Sequence, residues 1–198
     1  MSGRDELLER AVAWFARHGI GDVSLRSLAS GIGTSHRMLI YHFGSRDGLL
    51  SAVVEAVERG ERDTLTSLMA EASDPYEVGA RFWEHLVARA DTFAPLFFEL
   101  SSAAMQGKPY AAQLRSWLVD GWVEPLTEGF ARLTSDAVLA RDLAHLALAA
   151  ARGLLFETSV TGDHGSADAA MARLTELVRI AVEDRPAPRV RDNARPDA

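Results

Sequence analysis

The sequence predicts an all-α fold of about nine helices, because apolar residues recur at three- and four-residue spacing almost throughout and no segment alternates as a strand would. A third observation agrees: no Asn-Gly or Asp-Gly turn joins two alternating runs, so no hairpin is signalled.

The first helix is expected over roughly Arg4–Arg17, with Leu8, Val12 and Phe15 on one face. Gly19 stops it, since only glycine takes the left-handed C-terminal cap at low cost. Two short helices follow, near Ser24–Ser30 and Ser35–His42, and Ser45 then caps a long one running to about Ala72. Asp74-Pro75 opens the next, near Tyr76–Arg89, and another covers Asp91–Met105. Gly107 and Pro109 break the chain. Helices near Tyr110–Leu133, Asp136–Thr161 and Ser166–Asp184 complete the series. Residues 185–198 hold three prolines and alternating charges, and this tail is expected to be disordered. No internal repeat is visible. The expected units are 1–46 and 47–184; no Gly-, Ser- or Pro-rich linker divides them, so they are expected to share the long helix.

Composition narrows the functional classes. With 47% hydrophobic residues, the 198-residue chain can bury a real core. The absence of cysteine excludes disulfides and thiolate metal sites. No run of 18 or more apolar residues is free of charge, so no membrane span is expected. Met1–Arg10 alternates charge and leucine and lacks the apolar core of a signal peptide, so a cytoplasmic location is expected. The net charge of −7 opposes nucleic acid at first sight, but its distribution matters more. Residues 1–50 carry six arginines and five acids, for +1; residues 51–198 carry 15 basic and 23 acidic groups, for −8. An acidic body is repelled by DNA phosphates, so any DNA contact falls to the N-terminal end.

Residues 24–43, SLRSLASGIGTSHRMLIYHF, have the make-up of a helix-turn-helix. Ala29 is small enough for a second helix to approach, and Gly33 can take the positive φ of a tight turn. Leu25, Leu28, Ile32 and Leu39 bury the inner faces, and Phe43 packs beneath, against Phe15. Ser24 caps the first short helix; Thr34 or Ser35 caps the second. Taken alone, Ala-x-x-x-Gly fits an ordinary helical hairpin equally well. The wider run adds Arg26, Ser35, Tyr41, His42-Phe43, Ser45-Arg46 and Leu49-Leu50, with Phe15 and Gly19 upstream. Over about residues 7–53 this resembles the signature of the TetR family of one-component transcriptional regulators. Ile40 departs from it, standing where the family usually has a phosphate-reaching Tyr; Arg37, Met38 and Arg46 also replace commoner residues.

In such motifs the second helix enters the major groove N-terminus first. Thr34, Ser35, His36, Arg37 and Met38 are therefore candidates for base edges. Arg37 could grip guanine O6 and N7, a contact worth about 1–3 kcal/mol of discrimination, and Met38 could touch a thymine methyl. Ser24, Arg26, Tyr41, His42 and Arg46 are placed for phosphates, which set register without reading sequence. A surface salt bridge is the alternative for Arg26, and an internal hydrogen bond for His42. One copy offers few contacts; two copies on a two-fold axis would read a palindrome.

The resemblance implies an N-terminal three-helix DNA-binding domain, and a C-terminal helical domain for ligand binding and dimerisation. Leu139, Leu143, Leu146, Ala147, Ala150 and Leu154, with Ala170, Met171, Leu174, Leu177, Val178 and Ala181, form apolar stripes on the last two helices, Asp136–Thr161 and Ser166–Asp184. The resemblance makes these the homodimer surface; monomer core is the alternative. The middle helices hold Phe82, Trp83, Phe93, Phe97, Phe98, Tyr110, Trp117, Trp122 and Phe130. Core packing explains such a cluster. The functional alternative is an apolar cavity with few polar groups, for which Phe82, His85, Phe97, Phe98, Gln113, Trp117 and His145 are the candidates, with Glu84 a further polar group. The implied function is a repressor released from a palindromic operator by a small hydrophobic or aromatic effector. A regulator answering to a protein partner or to no ligand, and a carrier or enzyme using only the cavity, remain as alternatives. No metal, cofactor or catalytic group is expected: the six histidines lack H-x-x-x-H spacing, and neither G-x-S-x-G nor a phosphate loop occurs.

Overall fold

The computed structural model of the protein describes residues 3–19, 23–112 and 116–184. Among these residues it is helical without strands, in nine α-helices: α1 (Gly3–His18), α2 (Leu25–Gly31), α3 (His36–Phe43), α4 (Arg46–Glu71), α5 (Pro75–Ala88), α6 (Ala90–Met105), α7 (Gly121–Phe130), α8 (Ala137–Thr161) and α9 (His164–Glu183). The tail 185–198 lies outside the described residues.

Side-chain caps set most helix starts. The side chains of Ser24, Ser35 and Ser45 accept from the amides of Ser27, Met38 and Gly48 at 3.1, 3.2 and 3.0 Å. Each satisfies one of the amides a first turn leaves without a partner. Ser35, not Thr34, thus caps α3. Asp74 and Asp136 do the same for α5 and α8. Helix α9 starts two residues before the expected Ser166, because Asp163 precedes it and accepts from the Ser166 amide at 3.0 Å.

The single helix expected over Tyr110–Leu133 is broken. A 3₁₀ turn (Pro109–Ala111) is followed by a π-helical turn (Ser116–Asp120) that leads into α7. One tertiary contact and one local close approach accompany the wide turn. The guanidinium of Arg152 donates to the Leu118 carbonyl. A Cβ on Gly121 would come within 3.1 Å of the Ser116 oxygen, five residues back, the spacing a π-turn brings together.

One apolar core runs from the N-terminal helices into the body. Leu7, Ala11, Phe15, Leu28, Leu39 and Phe43 join Leu49, Leu50, Val53 and Val54 of α4, and these meet Leu96, Phe97 and Leu100 of α6 and Leu118. The shared helix α4 is therefore packed on both units at once. Two further clusters fill the body, around Trp83, Leu86 and Leu155, and around Leu65, Val78 and Trp122. By length and composition α8 is apolar enough to cross a membrane, although only 22% of that window is buried. Its apolar excess lies on an outer face. Leu146, Phe156 and Val160 of α8 are 50–69% exposed, and Leu177 and Ile180 of α9 are 55% and 54% exposed.

Candidate functional site

The N-terminal site is built on short, tightly anchored helices. Gly33 has φ 67°, a left-handed conformation that side chains oppose. It follows Ile32, whose carbonyl accepts from Arg10 Nη1 at 2.9 Å, which ties the turn to α1. At Gly31 a Cβ would sit 2.4 Å from Trp14 Nε1, so α1 passes too close for any larger residue to fit without movement. Leu28, Ala29 and Leu39 are at most 2% exposed. Packing on that core turns the opposite face of α3 outward.

On that outward face His36 and Arg37 are exposed, with Met38 at 40%, Ile40 at 37% and Tyr41 at 77%. Ser24, Arg26 and Ser35 are also exposed, while Thr34, His42 and Arg46 are half-buried. His42 lies edge-on to the rings of Tyr41 and Phe43. Arg46 donates from Nε to the Val23 carbonyl at 3.0 Å, so it braces the approach to α2 and is not simply a surface cation.

The second site is a cavity of about 170 Å³ walled mainly by α4, α5, α7 and α8, with one residue each from α6 and α9. Phe82 and Phe97 line it, as the sequence suggested. Phe98 does not: it packs edge-on to Phe156 and against the cluster around Trp83. His145 is exposed on α8 and does not line the cavity either. His85 lies just behind the wall, with Nε2 2.7 Å from Glu61 Oε2. Gln113 and the side chains of Phe93, Tyr110 and Trp117 lie outside the described residues. Ala147 and Met171, assigned by pattern to the dimer surface, line the cavity, and Leu143 and Val178 are buried within the protomer.

The polar groups of the wall escaped the sequence reading. Glu58 and Glu61 of α4 line the cavity at 1% and 4% exposure. Trp122 Nε1 donates to Glu58 Oε2 at 2.5 Å, and Arg62 Nη1 lies 3.8 Å from the same oxygen. Burial pushes the Glu58 carboxyl above its ordinary range; the Trp122 hydrogen bond and the charges of Arg152 and Arg62 act the other way. Burial likewise lowers the Arg152 guanidinium, which Glu58 partly restores. Arg152 also stacks 5.1 Å over the ring of Phe97. A signal for these acids did exist: Val54, Glu58, Glu61 and Leu65 fall at i, i+4, i+7 and i+11, one buried stripe of α4.

Comparison with known proteins bears on both sites. Residues 7–53 match the family model described as bacterial regulatory proteins, tetR family. Over 129 residues the chain is 30% identical to the HTH-type transcriptional regulatory protein RaaS of Mycobacterium tuberculosis, a match covering 65% of this chain and 58% of that protein. The chain thus spans less than two thirds of the length of this curated relative. A transcriptional regulator from Rhodococcus sp. Rha1 superposes with a TM-score of 0.78 at 17% identity, covering 93% of this chain and all of that one. The fatty acid degradation regulator FadR from Bacillus halodurans gives 0.67 at 16% identity, over 90% and 95% of the two chains. At these identities the structural likeness is one of fold. Residues 7–53 thus carry a helix-turn-helix of the tetR family type, and the chain as a whole shares the fold of these regulators.

Proposed function

We propose that the chain is a DNA-binding transcriptional regulator that acts as a homodimer on a palindromic operator in the cytoplasm. In this reading it is a repressor, released by a small apolar or aromatic effector held in the cavity. The exposed face of α3 carries the proposal: His36, Arg37 and Met38 stand at the helix N-terminus on a fixed, buried support, which is the presentation that base reading requires. Thr34 and Ser35 precede them, and Ser24, Arg26, Tyr41, His42 and Arg46 flank them as phosphate contacts. The bare apolar face of α8 and α9 is the dimer surface in this proposal, since so large an exposed patch otherwise invites association. Phe82 and Phe97 act as ligand contacts, with His85 acting through Glu61. An effector can release the operator only by binding the two forms of the dimer with different affinity.

The test is selection of random duplex DNA by the purified protein, followed by sequencing. A palindrome with half-sites about one helical turn apart is expected. No enrichment by a folded protein at low salt overturns the DNA-binding assignment.

A further inference from the structure

We propose that the effector is an apolar or aromatic amine whose ammonium group is held by Glu58 and Glu61; the inference rests on the effector reading of the cavity. Four charged side chains line the cavity: Glu58, Glu61, Arg132 and Arg152. The two carboxylates are almost fully buried and sit one helical turn apart on α4. The two guanidinium groups are already committed, Arg132 away from the acids and Arg152 partly to Glu58. Arg132 is an exposed residue that donates from Nη1 to the Met69 carbonyl at 3.0 Å. Arg152 donates to the Leu118 carbonyl and stacks on Phe97.

Of the basic groups that offset the carboxylates, Arg62, Arg89 and His85 lie outside the lining, and only Arg152, beside Glu58, belongs to it. Arg62 and Arg89 stand 3.8 Å from Glu58 and 3.4 Å from Glu61. Both close contacts of Glu58, from Trp122 and Arg62, fall on Oε2. Most of the remaining wall is apolar, including Leu65, Val78, Phe82, Trp122 and Leu126. A buried carboxylate is costly unless it is paired, and the cavity presents two of them to its occupant. An ammonium there supplies countercharge, and the faces of Phe82 and Trp122 favour a cation further. An anionic ligand would meet the two acids and a guanidinium already committed. The upward push on the Glu58 carboxyl agrees, since it marks a charge whose burial is not fully compensated.

The experiment titrates the full-length protein with 4-phenylbutylamine, 4-phenylbutanol and 4-phenylbutyrate, read by calorimetry and by tryptophan fluorescence, with Trp122 on the cavity wall. These share a phenyl ring and a four-carbon chain and differ in the head group and its charge. The amine is expected to bind about tenfold or more tighter than the alcohol, in line with hydrogen bonds to charged groups, and the carboxylate weakest. In Glu58→Gln the amine-to-alcohol ratio is expected to fall about tenfold. The wild-type comparison stands even where that variant does not fold. Equal binding of all three, or preference for the carboxylate, overturns the amine class and leaves the effector cavity in place. Binding of none overturns the cavity reading with it.

Discussion

Arg37 and Arg46 show how placement separates residues of one chemistry. Arg37 is exposed at the start of α3; Arg46 is half-buried and bonded to the Val23 carbonyl. Arg37→Ala is expected to relax preference at one base per half-site, at a cost of about 1–3 kcal/mol there. Arg46→Ala is expected to weaken all sequences alike, to lower the salt slope by about one, and to reduce stability by about 1 kcal/mol for its lost hydrogen bond. Salt titrations on a matched and a scrambled site would distinguish the two, and uniform loss in both would overturn the assignment. Glu58 makes a prediction in pH. Its folded-state pKa lies above the ordinary 4.5, so between these values the folded state holds the extra proton. Stability from this group therefore declines as pH rises through that window. Glu58→Gln lacks the proton, so any deficit in its melting temperature relative to wild type is expected to be larger near pH 5 than near pH 8. The opposite trend would contradict the burial argument.

At the scale of elements, caps and turns decide where helices begin, and α4 decides how the units meet. Ser45 Oγ accepts from the Gly48 amide at 3.0 Å, and the first turns of α4 carry Leu49, Leu50, Val53 and Val54 into the common core. Ser45→Ala is expected to cost about 1 kcal/mol in urea unfolding, the usual worth of an N-cap. A loss of under a few tenths would mean that the core alone sets this helix start. The same helix carries Glu58 and Glu61 about one and two turns beyond Val54. A ligand touching these acids therefore acts on the element packed against the helix-turn-helix. That is a short mechanical path between the two proposed sites.

For the whole molecule, the question is what covers the outer face of α8 and α9. Trp83 Nε1 donates to Asp168 Oδ1 at 2.7 Å, and Arg179 stacks 4.6 Å over Tyr76; these contacts hold α9 on the body by its inner side. Leu146, Phe156, Val160, Leu177 and Ile180 are left outward. Leu177→Glu is expected to give monomers by light scattering and to weaken operator binding, because two half-sites are then no longer held at fixed spacing. An intact dimer would remove this face from the interface. Ala147 falls on the same sequence stripe but lines the cavity, so a charge placed there would not test the outer face.

Local signals carried the N-terminal half of the problem. The serine caps, Gly19, Gly33 and the apolar stripes are each read within a few residues, because a cap or a tight turn depends on its immediate neighbours. The all-α class and the helix-turn-helix were legible for that reason. Tertiary structure alone decided the rest. Glu58 and Glu61 sit among Arg59, Arg62 and Asp63 and look like a solvated charge run until packing turns their stripe inward. His145 looked available on α8 until packing turned it outward. The π-turn is met by Arg152, which reaches the Leu118 carbonyl from 34 residues away in sequence. Periodicity tells that a helix has an apolar face; which neighbour that face meets is a long-range matter, and here it separated cavity wall, protomer core and outer surface.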